Sequence, residues 1–111
     1  MSRADIAQAQ LDAYNAQDLE AYCGYFTDDV VVANVGGEVT GQGIEAYRTR
    51  YRDAFAKFPA NKAELLGRIV LGDTVIDHER VDRGDGSTAP FEVAAIYTFK
   101  GDRIARVDFA K

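Results

Sequence analysis

The sequence predicts an α+β domain, with helices on one face of a curved sheet built mostly from antiparallel strands. Three observations predict it. Apolar residues recur at helical spacing through most of the first half, up to Phe58. The second half is made of long strand-like runs. Turn residues divide those runs at Gly72-Asp73 and at Lys100-Gly101-Asp102. Helices gathered first and strands gathered after them are the mark of α+β layering. A length of 111 residues suits one domain, spanning 1–111, with a single core.

The elements follow in order. Ser2, with Asp5 three residues on, has the spacing of a capping box and opens a first helix. Its inward face is loose, built on Ile6, Ala9, Leu11, Ala13 and Tyr14. Asp18 is placed to cap a second helix, whose stripe is Leu19, Tyr22, Cys23 and Phe26 at i, i+3, i+4, i+7. "DDVVVANV" is the first strand, and its three valines suggest burial on both faces. Gly36-Gly37 make a turn into a short partner strand, "EVT". "GQG" then opens a third helix with the stripe Ile44, Tyr47, Tyr51, Ala54, Phe55 and Phe58, and Pro59 ends it. Four long strands complete the chain, with "DGSTAP" as a loop between the middle two.

Composition narrows the function. Apolar residues make up 47% and charged residues 28%, as in ordinary globular proteins. A net charge of −5 argues against a nucleic-acid surface, which needs a basic stripe. No run is long enough to span a bilayer, and "MSRADIAQAQ" lacks the apolar core of a signal peptide, so the expected location is the cytoplasm. The single cysteine, Cys23, allows no internal disulfide and no cysteine-based metal cluster, and it lies in an apolar helical stripe. With one histidine and no ligand spacing, no metal site or cofactor is expected.

"NAQDL" before the second helix, "FTDDV" entering the first strand and "GQGIEAY" opening the third helix carry a family resemblance. The chain resembles the nuclear transport factor 2-like superfamily, and within it the SnoaL-like and steroid delta-isomerase-like proteins. The resemblance covers nearly the whole chain. It implies a cone-shaped, cystatin-like fold, in which a strongly curved mixed or antiparallel sheet wraps around three N-terminal helices and leaves a pocket at the open end. It also implies a homodimer through the outer sheet face. Fold alone does not fix function. Ketosteroid isomerases use a tyrosine, a general-base aspartate and a protonated aspartate. By resemblance, these positions fall here at Gln10, Asn34 and Ala95. An amide is not basic near neutral pH, and a methyl group cannot stabilise a dienolate. The isomerase mechanism is therefore not expected.

"VIDHERVD" holds the only histidine between two carboxylates. Strand alternation separates them: Val75, Asp77, Glu79 and Val81 share one face, and Ile76, His78 and Arg80 share the other. If Asp77 and Glu79 face the pocket, two carboxylates about 6.5–7 Å apart along the strand can push each other's pKa apart and work as acid and base. If His78 faces it, a histidine base or a His78–Arg80 anion site results. Polar residues on both faces also suit a strand at a subunit contact. The family's strands favour Asp77 and Glu79 inward. By register and resemblance the pocket is lined by Tyr14, Phe26, Asn34, Tyr51, Phe55, Val93, Ala95, Tyr97, Val107 and Phe109, with Ala105 turned inward as well. Such a wall suits a small apolar or aromatic ligand, with proton-transfer chemistry by Asp77, Glu79 or His78. The alternative is a filled cone serving as a non-enzymatic dimerisation or ligand-sensing module.

Overall fold

A computed structural model of the chain describes residues 1–111. Helix α1 spans Arg3–Ala16, α2 Leu19–Cys23 and α3 Ile44–Lys57. The strands are β1 Phe26–Asn34, β2 Val39–Gln42, β3 Lys62–Leu71, β4 Thr74–Asp82, β5 Phe91–Lys100 and β6 Arg103–Ala110. They form one six-stranded sheet in the order β2-β1-β6-β5-β4-β3. Only β1 and β6 run parallel, so the sheet is mixed. No helix is long and apolar enough to cross a membrane.

Local chemistry sets the ends of the helices. The Ser2 hydroxyl accepts from the Asp5 amide, and the Asp5 carboxylate accepts from the Ser2 amide, which completes the capping box. Asp18 caps α2 by accepting from the Ala21 amide. Helix α2 stops at Cys23, so Phe26 begins β1 instead of extending the helical stripe. Its ring still reaches Tyr22 and Tyr47, with centroids 5.1 and 4.6 Å away. In α1 the buried face is Ile6, Ala7, Gln10, Leu11 and Ala13; Ala9 is only half-buried. Among the valines of β1, Val30 and Val32 are fully buried and Val31 is half-buried, while Ala33, on the face of Val31, is fully buried.

Bulges in β3 and β6 shift the alternation there. Leu66 is the extra residue between the pairs Leu65–Glu79 and Gly67–His78. Ala105 is the extra residue between the pairs Phe99–Ile104 and Thr98–Arg106. A bulge residue stands outside the ladder, so Ala105 is half-buried and Ile104 takes the core position. Beyond it, Val107 is fully buried, as alternation requires.

The core lies between α1–α3 and the concave face of the sheet, with Ile6, Phe26, Val32, Tyr47, Val75 and Ile104 among its members. Arg68 on β3 fastens the first helix to this layer. Its guanidinium makes a two-point pair with Asp77, 2.7 and 3.0 Å long, and also donates to Gln8 and to the Ala4 carbonyl. The Asn15 side chain ties the other end of α1 down, donating to the Ala63 carbonyl and accepting from the Ala63 amide.

Candidate functional site

Strand β4 alternates strictly from Val75 to Val81: Val75, Asp77, Glu79 and Val81 are buried, whereas His78 and Arg80 are exposed. Asp77 and Glu79 therefore face the concave side. His78 lies on the outer face and contacts Glu92 at 2.5 Å. It cannot share a cavity with the two carboxylates.

Those carboxylates differ in their surroundings. Asp77 is fully buried and fully engaged by Arg68. Glu79 is 7% exposed, and its Oε2 is buried without a hydrogen-bond partner. Burial, with the nearby negative charge of Asp77, pushes the Glu79 carboxyl up to about 7, against the weaker opposing pull of Arg68. Such a group is part acid and part carboxylate at neutral pH, as a proton-transfer residue must be.

Glu79 borders a cavity of about 210 Å³ at the open end of the cone. Of the residues expected there, Tyr14, Asn34, Tyr51, Val93, Tyr97 and Phe109 line it. Asn34 is exposed at its rim. Phe26, Ala95 and Val107 are buried in the core and Phe55 is half-buried against it, and none of the four reaches the wall. The aromatic layer explains this: Tyr22 stands between Phe26 and Tyr51, and Tyr14 packs edge-on against Phe55. Tyr22 and Tyr47 share a hydroxyl–hydroxyl hydrogen bond of 2.7 Å within this layer.

The wall also contains Gln10, Arg50, Val81, Arg83, Phe91 and Lys111, which sequence reasoning left out. Gln10, an isomerase position by resemblance, donates to the Tyr97 hydroxyl at 3.0 Å. Arg83 has the same strand parity as Glu79 and Val81, a signal present in the sequence. Its guanidinium lies over Phe58 and Phe91, 4.7 and 5.2 Å from the ring centroids, and donates to Asn61 Oδ1 at 3.1 Å. Asn61 in turn donates to the Tyr14 hydroxyl at 2.7 Å. Beside Arg83, Gly84 has φ 64°, and a Cβ there would meet Ala60 at 2.8 Å, so this close approach of the two loops requires glycine. A second hollow of about 220 Å³, between β2 and α3, has no buried carboxylate. No three His, Cys, Asp or Glu side chains converge as a metal site would require.

A half-cone of sheet over helices, open at one end onto a cavity with a buried carboxyl, defines a class of small α+β proteins with a cystatin-like cone. A family model described as SnoaL-like domain matches residues 7–107, and the chain belongs to that family. A solved structure of an uncharacterised cystatin-fold protein from Novosphingobium aromaticivorans is 42% identical, with a TM-score of 0.94 over 100% of this chain and 99% of that one. A candidate polyketide cyclase from Sinorhizobium meliloti is 28% identical, with a TM-score of 0.80 over 99% and 100%. A candidate ketosteroid isomerase from Kribbella flavida shares the fold at 14% identity, with a TM-score of 0.80 over 96% and 75%. No curated protein matches the sequence.

Proposed function

We propose that the chain binds a small apolar or aromatic compound in the Glu79 cavity and that Glu79 moves a proton on it. The observation that carries this reading is the buried Glu79 carboxyl, with Oε2 unpartnered, at the wall of a cavity. An unpaired buried polar atom is costly to folding, and a functional site is the usual place where that cost persists. The carboxylate would take a proton from an acidic C–H or a water, and the resulting acid would return it to another atom of the same ligand. Asp77 is held by Arg68 and supports this role by raising the Glu79 pKa. The isomerase arrangement is not the model for it, because its positions hold Gln10, Asn34 and Ala95.

The cavity's size supports a one- or two-ring ligand. Pockets for drug-sized molecules measure about 300–1,000 Å³, and this one is smaller. The similarity to a candidate polyketide cyclase is compatible with an aromatic or enolisable compound.

The test begins with a thermal-shift screen of aromatic and enolisable ketones and acids, since a ligand of the native state raises the midpoint by mass action. Hits with an exchangeable C–H are then followed by NMR in D₂O. The wild type should catalyse exchange at a rate that rises with pH through about 7. Glu79→Gln should still bind but lose about 10²–10⁴-fold in exchange. A screen without hits, or exchange undiminished in E79Q, would overturn the reading.

A further inference from the structure

Three basic residues, Arg50, Arg83 and Lys111, border the cavity of a protein whose net charge is −5. None of the three forms an ion pair, whereas Arg48, Arg52, Arg68 and Arg106 each face a carboxylate. Arg83 is also held in place. Phe58 and Phe91 lie against its guanidinium, and the buried Asn61 takes one N–H. An arginine has five N–H donors in a rigid fork, and this is the only hydrogen bond that the Arg83 guanidinium makes. Arg50 is exposed, and its one hydrogen bond is a long 3.5 Å approach to the Thr40 hydroxyl. Glu79, the only carboxylate side chain on the wall, makes no ion pair with any of them.

We infer that the ligand carries a carboxylate, with Arg83 as the group that binds it and Arg50 as the charge that draws it to the mouth. This rests on the cavity being a ligand site and deepens that reading by naming the substrate class: a small aromatic or unsaturated acid. A guanidinium already packed against two aromatic rings and held by one hydrogen bond loses little freedom on pairing, and its planar fork matches a carboxylate in two-point geometry. The apolar wall of Val81, Val93 and Phe109 receives the ring, and the carboxylate lies toward Arg83. An acid bound this way places its carbon skeleton, not its charge, toward Glu79, so that two carboxylates are not brought together.

The experiment compares 2-naphthoate with its neutral isostere 2-naphthamide by calorimetry on the full chain. Naphthoate should bind the wild type about tenfold or more tightly than naphthamide, and its affinity should fall with added salt while that of the amide holds. Arg83→Met should remove the preference, weakening naphthoate about tenfold more than it weakens naphthamide. Arg50→Gln should flatten the salt dependence with a loss of about two- to threefold. The salt series on the wild type needs no variant, so it decides the matter even if R83M folds poorly. Equal affinities with no salt effect, or naphthoate binding unchanged in R83M, overturn the carboxylate assignment and leave the cavity as a neutral-ligand site. No binding of either compound overturns the assignment together with the reading beneath it.

Discussion

Glu79 is a buried carboxyl whose charged form works against folding. Its carboxyl holds a proton more tightly in the folded chain than in the unfolded one, from an ordinary 4.5 up to about 7. Stability from this group is therefore full below about pH 4.5 and is lost as pH rises through about 7. The penalty at alkaline pH is on the order of 3 kcal/mol. Glu79→Gln cannot ionise, so it should melt at a higher temperature than the wild type at pH 8, with the gap closing near pH 5. Equal melting temperatures at pH 8 would mean that the carboxylate is not penalised by burial. The alternation of "VIDHERVD" was enough to separate Asp77 and Glu79 from His78 and Arg80. It could not say which carboxylate would stay unpaired. That depends on Arg68, which reaches Asp77 because a bulge at Leu66 sets the β3–β4 register, and a sequence does not announce a bulge.

At the scale of elements, α1 is a short helix held onto the sheet from both ends. The Asn15 amide imitates a strand neighbour, pairing with both backbone groups of Ala63 at 2.9 and 2.8 Å. Asn15→Ala would leave that amide and carbonyl unpaired near the start of β3, and should cost about 1–3 kcal/mol in urea unfolding. Asn15→Asp should also destabilise, because a carboxylate accepts from the Ala63 amide but donates nothing to its carbonyl. If N15D matches the wild type, the donated bond carries no weight. Caps, turns and stripes were legible in the sequence because their causes are local: Ser2–Asp5, Asp18, Gly101 and the Ile44–Phe58 stripe all keep their expected roles. The failures were non-local. Phe26 fits a helical stripe in spacing, yet it pairs with Ile104 on a parallel neighbour that lies far away in the chain. The same cause removed Phe26 and Val107 from the cavity wall, since a cone's narrow end is filled by residues that share a face with those of its open end.

The whole molecule presents a second apolar surface, on the side of the sheet away from the helices. Residues opposite one another in a ladder share a face, so Ile69, Ile76 and Ile96 form one outward row across β3, β4 and β5. Ile69 is 55% exposed, and Leu71, two residues on, is 65% exposed. Around the row stand charged groups: His78 with Glu92, Arg80, and Arg106 with Asp108. An apolar centre with a polar rim has the anatomy of a protein interface. β3 is also an edge strand, where exposed apolar side chains invite association unless they are covered. We propose that a second copy of the chain covers this face, as the resemblance to dimeric cone folds implies. The cavity opens on the concave side, so such a dimer would leave both mouths free. Light scattering should then give twice the 12.2 kDa of one chain. Ile96→Asp should return the monomer, because the contact would then have to bury an unpaired carboxylate. An unchanged circular dichroism spectrum would show that the fold survives, since Ile96 lies outside the core. A wild-type monomer at high concentration would sink the proposal without touching the Glu79 cavity, which is built within a single chain.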